Sequence, residues 1–215
     1  MTEIVLKGVM RSGNTVLRLL LMSIFNKHKC FANYTFRENI NKTHQYENLN
    51  SDKFLITTWR DPRDVVNSMI RIENHKYNFS MPLTKYYPLF DIIIKEGSEG
   101  IHKVRTKVNK ELILKYENWH KDYDILFDDL EKTFKGNIPK NVRNILKEKY
   151  SKQSIKKIQS SYKTFSQYNT SNYVHGLHIG PNNGESMWEH NIPTQYHKEI
   201  NKILKKYITF WEEIE

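Results

Sequence analysis

The sequence predicts an α/β fold, a three-layer sandwich in which helices cover both faces of a central, mostly parallel sheet. Three short apolar runs, at residues 4–6, 54–59 and 112–116, have the composition of buried strands. Stretches with apolar residues at helical spacing follow them along the chain. Strands that alternate with helices are typical of parallel sheets, which bind ligands at the carboxyl ends of their strands.

The first strand leads into a glycine-bearing loop and then a helix, a P-loop-like arrangement. Gly8 and Gly13 stand at the spacing of a nucleotide-binding P-loop, and Thr15 occupies the position of its hydroxyl. Such a loop directs backbone N–H groups and the positive end of a helix at an anion. Asn14, however, replaces the P-loop lysine, and the fixed charge lies earlier, at Arg11. The stretch therefore predicts a loop that binds phosphate but lacks the lysine with which a P-loop holds a nucleoside triphosphate. The alternative is an ordinary strand–turn–helix that binds no anion, in which the glycines are needed only for the conformation of the turn.

The second strand runs directly into the start of another helix. Pro62 is well placed in the first helical turn, and Asp61 is the candidate N-cap. Apolar residues between 65 and 72 then trace one helical face. Further helices are predicted at about 124–135, at about 139–150 and from about 194 to the end.

Three stretches are predicted to lie outside this regular alternation. Residues 26–50 are polar and are predicted to be mostly loop. Residues 73–100 are aromatic and are interrupted by Pro82 and Pro88, which indicates an insertion over the sheet rather than another layer. A loop that contains several glycines is predicted from about 164 to 193.

Composition favours a single domain, residues 1–215, that is long enough for a substantial core. The chain has no apolar run of about 18 residues and no basic-then-apolar leader, so we expect neither a membrane segment nor a signal peptide. Cys30 is the only cysteine, which excludes an internal disulfide and a thiolate-rich zinc site. Together these features predict a cytoplasmic protein.

The charge balance bears on the partners of the protein. A net charge of +10 indicates an anionic ligand or partner. The basic residues are dispersed rather than interleaved with aromatic residues on one element, which disfavours nucleic acid. His175 and His178 form the one close histidine pair, without a carboxylate at zinc-ligand spacing, so no metal site is predicted.

Six segments, in the same order along the chain, resemble the sulfotransferases that use 3′-phosphoadenosine 5′-phosphosulfate, in the compact form of bacterial and viral relatives. The family loop that holds the 5′-phosphosulfate, in which a Lys or Arg precedes Ser-Gly, is matched by Arg11-Ser12-Gly13-Asn14-Thr15. The family's 3′-phosphate motif is matched by residues 60–68, and the resemblance implies that Arg60 and Ser68 grip that phosphate. Backbone amides, guanidinium groups and hydroxyls in this pattern can surround an oxyanion without a metal.

A third segment, Lys42-Thr43-His44, resembles the Lys-Thr-His segment of the cytosolic members. The resemblance implies that His44 removes the proton of the acceptor hydroxyl and that Lys42 helps to hold the transferring group. A histidine suits this role because its ordinary pKa of about 6.5 leaves a neutral imidazole near pH 7. Glu38 and Glu47 are the alternative bases, because some family members use a carboxylate.

Two further matches concern the nucleotide. Tyr116 opens a segment that resembles the family's Tyr-Glu-Asp, whose tyrosine approaches the nucleotide. Ser160 and Tyr162 fall in a stretch that resembles the lining of the adenine, where the ring of Tyr162 can stack on the base. Taken singly, each of these matches is also explained by packing in the core.

The last match is a late glycine loop with two departures from the family pattern. Gly180 and Trp188 match the glycine at the start and the tryptophan at the end of that loop. His178 and Ile179 replace two basic residues that add to 3′-phosphate binding in the family. Val16 replaces a tryptophan that many members place against the adenine.

The resemblance implies in-line transfer of a sulfuryl group to a hydroxyl or amine of a small-molecule or glycan acceptor. Adenosine 3′,5′-bisphosphate would be the product, and Arg11 and Lys42 would stabilise the developing charge. Two other classes stay open. One is a P-loop-type nucleotide kinase, against which Asn14 counts. The other is a non-catalytic basic module that binds nucleotides or nucleic acid.

Overall fold

The computed structural model describes residues 1–37, 50–74, 82–176, 179 and 187–214. Four strands form its central sheet: β1 (Thr2–Gly8), β2 (Tyr34–Phe36), β3 (Phe54–Trp59) and β4 (Lys110–Lys115). All of them run parallel, in the order β2-β1-β3-β4. The predicted α/β fold with a parallel sheet is confirmed. Because the strands are parallel, the ends of β1, β3 and β4 meet at one edge, with Gly8 beside Thr58 and Trp59 beside Lys115.

Helices connect the strands and follow the sheet. In chain order the α-helices are α1 (Asn14–Leu21), α2 (Pro62–Asn74), α3 (Tyr87–Ile92), α4 (Gly100–Arg105), α5 (Tyr116–Trp119), α6 (Tyr123–Phe134), α7 (Lys140–Lys149), α8 (Lys152–Gln159), α9 (Trp188–Asn191) and α10 (His197–Glu212). A π-helical segment, Met22–Lys27, extends α1, and another, Ile93–Glu99, joins α3 to α4. Short 3₁₀ turns, Leu83–Tyr86 and Thr194–Tyr196, precede α3 and α10.

Two apolar cores, one on each face of the sheet, produce the three layers. On one face Ile4, Ile56 and Leu114 pack with residues of α1, α6, α7 and α8. On the other face Trp59 packs with residues of α2, α3 and α10, among them the fully buried Val66. Burial of such apolar surface on both sides is what holds a parallel sheet between helices.

The prediction for residues 73–100 was wrong where the structure describes them. The chain is helical from 83 to 105 and belongs to the second layer, with Phe90 and Ile93 buried in its core. Pro88 lies in the first turn of α3, where a proline lacks no required hydrogen bond. It therefore marks the start of a helix rather than a break in one.

Other differences are smaller. Residues 26–50, predicted to be mostly loop, contain β2, which pairs with the first residues of β1. Helix α8 was not predicted either. Asp61 caps α2 as predicted, because its carboxylate accepts the backbone N–H of Arg63 at 2.9 Å. Within the described ranges, no helix combines the length and apolarity needed to cross a membrane.

Candidate functional site

The loop between β1 and α1 is tied to the neighbouring strand. The fully buried hydroxyl of Ser12 lies within hydrogen-bonding distance of the carbonyls of Val9 and Thr58, the latter at 3.1 Å. The hydroxyl of Thr58 in turn donates to the carbonyl of Ser12 at 3.2 Å and accepts the indole N–H of Trp119 at 3.1 Å. The side chain of Ser12, a predicted ligand for the phosphosulfate, thus shapes the loop from inside.

Asn14 is also turned back onto the loop. Its amide nitrogen donates to the carbonyl of Val9 at 3.0 Å, and its amide oxygen lies where a Cβ of Gly8 would be. Thr15 is half-buried in the first turn of α1. The chain therefore has a neutral, inward-facing amide at the position where a P-loop has its lysine.

Gly13 is required by both backbone and packing. Its φ of 79° lies in the left-handed region, and an added Cβ would lie 2.7 Å from the ring of Trp119 and 2.8 Å from that of Tyr116. The first and last residues of α5 thus pack directly on the loop. Arg11 also has a positive φ, 65°, so the loop backbone is bent at two points around Ser12.

The structure brings the two predicted phosphate motifs together. The guanidinium of Arg60, at the end of β3, donates to the carbonyl of Arg11 at 3.1 Å. The Nε of Arg11 donates to the hydroxyl of Ser68, on α2, at 3.0 Å. Because α2 begins at the same sheet edge as the loop, its side chain at 68 meets the loop across the end of β3.

A further arginine, Arg71, contributes to this site and was missed by sequence reasoning. It is buried on α2, three residues after Ser68 and so on the same helical face. Burial, together with the charges of Arg71 and Arg60, lowers the pKa of Arg11 to about 9. The spacing from Ser68 was the signal available in the sequence. A multiply charged anion bound beside Arg11 would offset this unfavourable interaction of its guanidinium with the other two.

Two stacked rings, those of Tyr116 and His120, lie beside Arg60. The guanidinium of Arg60 lies over the ring of Tyr116 at 4.7 Å, and the imidazole of His120 stacks on the same ring at 4.3 Å. Burial raises the pKa of Tyr116 to about 12 and keeps its hydroxyl protonated. Burial, with the nearby charges of Lys152 and Arg60, lowers the pKa of His120 to about 3. Neither His120 nor Lys152 was singled out in the sequence.

This buried histidine predicts a specific loss of stability in acid. Folded His120 stays neutral down to about pH 3, whereas the unfolded chain protonates it below about pH 6.5. Its contribution is therefore present above pH 6.5 and is lost as pH falls toward 3. Between pH 7 and pH 5 we expect it to lower the free energy of unfolding by about 2 kcal/mol. Urea denaturation at both pH values measures this loss.

The matched variant is His120→Phe, which keeps a ring on Tyr116 but cannot be protonated. Its free energy of unfolding should fall by about 2 kcal/mol less than that of the wild type over the same pH interval. Equal losses in the two proteins would show that His120 is protonated in the folded state or is not buried.

Other predicted residues lie farther along the chain or outside the described ranges. Ser160 is exposed at the end of α8, where its hydroxyl donates to the carbonyl of Lys157 at 2.8 Å, and Tyr162 is half-buried two residues later. Their contact with a nucleotide stays a prediction. Lys42, His44 and Gly180 lie outside the residues that the structure describes, as do Glu38, Glu47 and His178.

The two sides of the late glycine loop are attached to helices of the site. The backbone N–H and carbonyl of Ile179 are hydrogen-bonded to the side-chain amide of Gln159, at the end of α8, at 2.7 and 3.2 Å. The backbone N–H groups of Met187 and Trp188 donate to the buried carboxylate of Asp64, in the first turn of α2, at 3.0 and 3.1 Å. Trp188, predicted to end this loop, is buried there.

Among the side chains that the structure describes, no three His, Cys, Asp or Glu residues are grouped as they would be to hold a metal ion.

Solved structures that share this fold include a sulfotransferase and a dehydratase. Mouse sulfotransferase SULT7A1, complexed with PAP, matches with a TM-score of 0.55 and 14% identity over 100% of this chain and 89% of its own. Retinol dehydratase, in a complex with retinol and PAP, matches with a TM-score of 0.60 and 13% identity over 95% of this chain and 80% of its own. The same enzyme with androsterone and PAP matches at 0.58 and 14% identity, over the same shares.

At the level of sequence, neither protein-family models nor curated proteins match the chain. The likeness therefore lies in the path of the backbone, and it extends over nearly the whole chain. It agrees with the parallel sheet between two helical layers described above. The chain has the fold of the sulfotransferases.

Proposed function

We propose that this protein is a sulfotransferase that moves a sulfuryl group from 3′-phosphoadenosine 5′-phosphosulfate to a hydroxyl or amine. The observation that carries the proposal is the contact between the two phosphate motifs, in which Arg11 reaches Ser68 and Arg60 reaches the backbone of Arg11. A ligand with phosphate groups at its 5′ and 3′ positions would use both motifs at once. The structural relatives in complex with PAP, the bisphosphate product, support the same cofactor.

The donor set fits such a nucleotide. Arg11 and the loop amides would stabilise the negative charge that develops on the 5′-phosphate as the sulfuryl group leaves. Arg60 and Ser68 would bind the 3′-phosphate, with Arg71 adding charge from the next turn of α2. A sulfuryl group carries less charge than a γ-phosphoryl group, so arginines and amides suffice and we propose no metal ion. The site would hold the sulfuryl group in line with the attacking oxygen or nitrogen. Because this order is established on binding, little further entropy is lost on reaching the transition state.

The acceptor proton would go to His44, with Lys42 beside the transferring group, and Glu38 or Glu47 as the alternative base. We expect His44→Ala to lower turnover by roughly a hundredfold or more, while binding of adenosine 3′,5′-bisphosphate stays as in the wild type. Turnover is measured as release of the bisphosphate with a panel of small-molecule and glycan acceptors. Unchanged turnover in His44→Ala would move the base to one of the two glutamates.

Calorimetric titration of the whole chain tests the proposal. We expect adenosine 3′,5′-bisphosphate to bind without metal, and ATP with Mg²⁺ to bind more weakly, because Asn14 cannot act as the P-loop lysine. Preference for Mg-ATP would favour a P-loop-type kinase instead. If neither nucleotide binds, the sulfotransferase proposal fails and a nucleic-acid-binding module becomes the better explanation.

The single cysteine supports a cytoplasmic location.

A further inference from the structure

The segment after α8 folds into a hairpin that contacts the phosphate loop. In this aromatic hairpin, residues 164–176, Tyr168 and His175 form an antiparallel bridge, and the N–H of Asn169 donates to the carbonyl of Val174 at 2.9 Å. Val174 is fully buried in the first core, which anchors the hairpin to the rest of the protein. The hairpin is thus attached to the rest of the protein through a buried side chain.

The rings of the hairpin are stacked on one another. Phe165 and His175 are nearly parallel, with centroids 4.5 Å apart, and Tyr168 lies 4.9 Å from His175. The Nδ1–H of His175 donates to the carbonyl of Phe165 at 2.6 Å, so the same two residues are joined by a hydrogen bond as well as by their rings. The hydrogen bond fixes the imidazole of His175, and the stacked imidazole in turn restricts rotation of the ring of Phe165.

Phe165, at one end of this stack, meets the phosphate loop. The guanidinium carbon of Arg11 lies 4.9 Å from the centroid of Phe165, within the range of a cation–π contact. The Nε of the same guanidinium donates to Ser68. Arg11 is therefore contacted by a hydroxyl at its Nε and by an aromatic ring at its guanidinium carbon.

We propose that Phe165 is a positioning residue that orients the guanidinium of Arg11 toward the 5′-phosphosulfate. This inference rests on the proposed function. A guanidinium is planar and gains from stacking on an aromatic face, whereas an ammonium is a compact charge without a preferred plane. Fixing the plane beforehand spares Arg11 the loss of side-chain freedom when the nucleotide binds. Phe165 thereby accounts for an arginine at a position where the family also accepts lysine.

A double-mutant cycle tests the proposal, with Phe165→Leu, Arg11→Lys and the two together, each titrated calorimetrically with adenosine 3′,5′-bisphosphate. We expect Phe165→Leu to weaken binding roughly fivefold to tenfold. In the Arg11→Lys background the same change should cost little, because no guanidinium plane remains to be oriented. Losses that add in the double variant would overturn the proposal.

Two further variants separate orientation from folding of the hairpin. Phe165→Tyr keeps the ring face and should bind like the wild type. Tyr168→Leu removes a ring that packs on His175 and Tyr173, so it loosens the hairpin without removing the ring over Arg11. A loss in Tyr168→Leu equal to that in Phe165→Leu would overturn the proposal. Thermal melting verifies folding, and Phe165→Met replaces the leucine variant if that one does not fold.

The experiment also distinguishes this inference from the proposed function. Wild-type protein that does not bind the bisphosphate would overturn the sulfotransferase proposal and the role of Phe165 with it. Wild-type binding together with an unchanged affinity in Phe165→Leu would overturn the role of Phe165 alone.

Discussion

Replacing Arg60 with alanine is expected to weaken binding of adenosine 3′,5′-bisphosphate by roughly a hundredfold, the cost of about two charge-assisted hydrogen bonds. Binding of adenosine 5′-monophosphate should weaken by less than about tenfold, because that nucleotide loses only the support that Arg60 gives to the carbonyl of Arg11. Calorimetric titration with both nucleotides measures the difference. A larger loss for the bisphosphate than for the monophosphate would locate the 3′-phosphate at Arg60.

The matched control is Arg105→Ala, which removes the same charge from the other end of the sheet. Arg105 is paired with Glu111 near the start of β4, at 2.6 Å. Its loss should change the affinity for both nucleotides by less than about twofold, because its charge is already paired with Glu111 and it belongs to neither phosphate motif. Equal losses for the bisphosphate and the monophosphate in Arg60→Ala would mean that this arginine supports the loop and does not bind a 3′-phosphate.

Replacing Gly13 with alanine is expected to lower the free energy of unfolding by about 2–4 kcal/mol. One part of this cost is the left-handed backbone, with φ at 79°, which disfavours a residue that has a Cβ. The other part is overlap with the rings of Trp119 and Tyr116, each less than 3 Å from the new atom. Guanidinium denaturation with the transition midpoint and slope fitted separately gives the change in stability.

Gly97→Ala is the control for this substitution. Gly97 lies in the helical segment between α3 and α4, and an added Cβ would lie 3.7 Å from Val9, an ordinary contact. Because alanine favours helix over glycine, we expect the stability to stay within about 1 kcal/mol of the wild type or to rise. A Gly13→Ala protein as stable as Gly97→Ala would show that the loop moves away from α5 at little cost.

Local patterns made much of the fold predictable. The apolar run at 54–59 coincides with β3, and Pro62 with Asp61 marked the start of α2. The predicted helices at 124–135 and 139–150 differ from α6 and α7 by one residue at each end. These elements follow from side-chain periodicity and capping, which depend on neighbours in the sequence. By contrast, β2 is three residues long and exists because it pairs with β1, so no periodicity could reveal it.

The candidate site divides in the same way. The glycine spacing and Arg11 were visible in the sequence because they follow the first strand, and Arg60 and Ser68 because their segment resembles the 3′-phosphate motif of the sulfotransferases. Their mutual contacts, the buried charge of Arg71, the stack of His120 on Tyr116 and the ring of Phe165 over Arg11 were not. These contacts join residues far apart in the chain, and no local pattern encodes them. Strand and helix positions therefore follow from the order of the amino acids, whereas the shape and charge of the phosphate site arise only when the sheet edge, α2, α5 and the aromatic hairpin pack together.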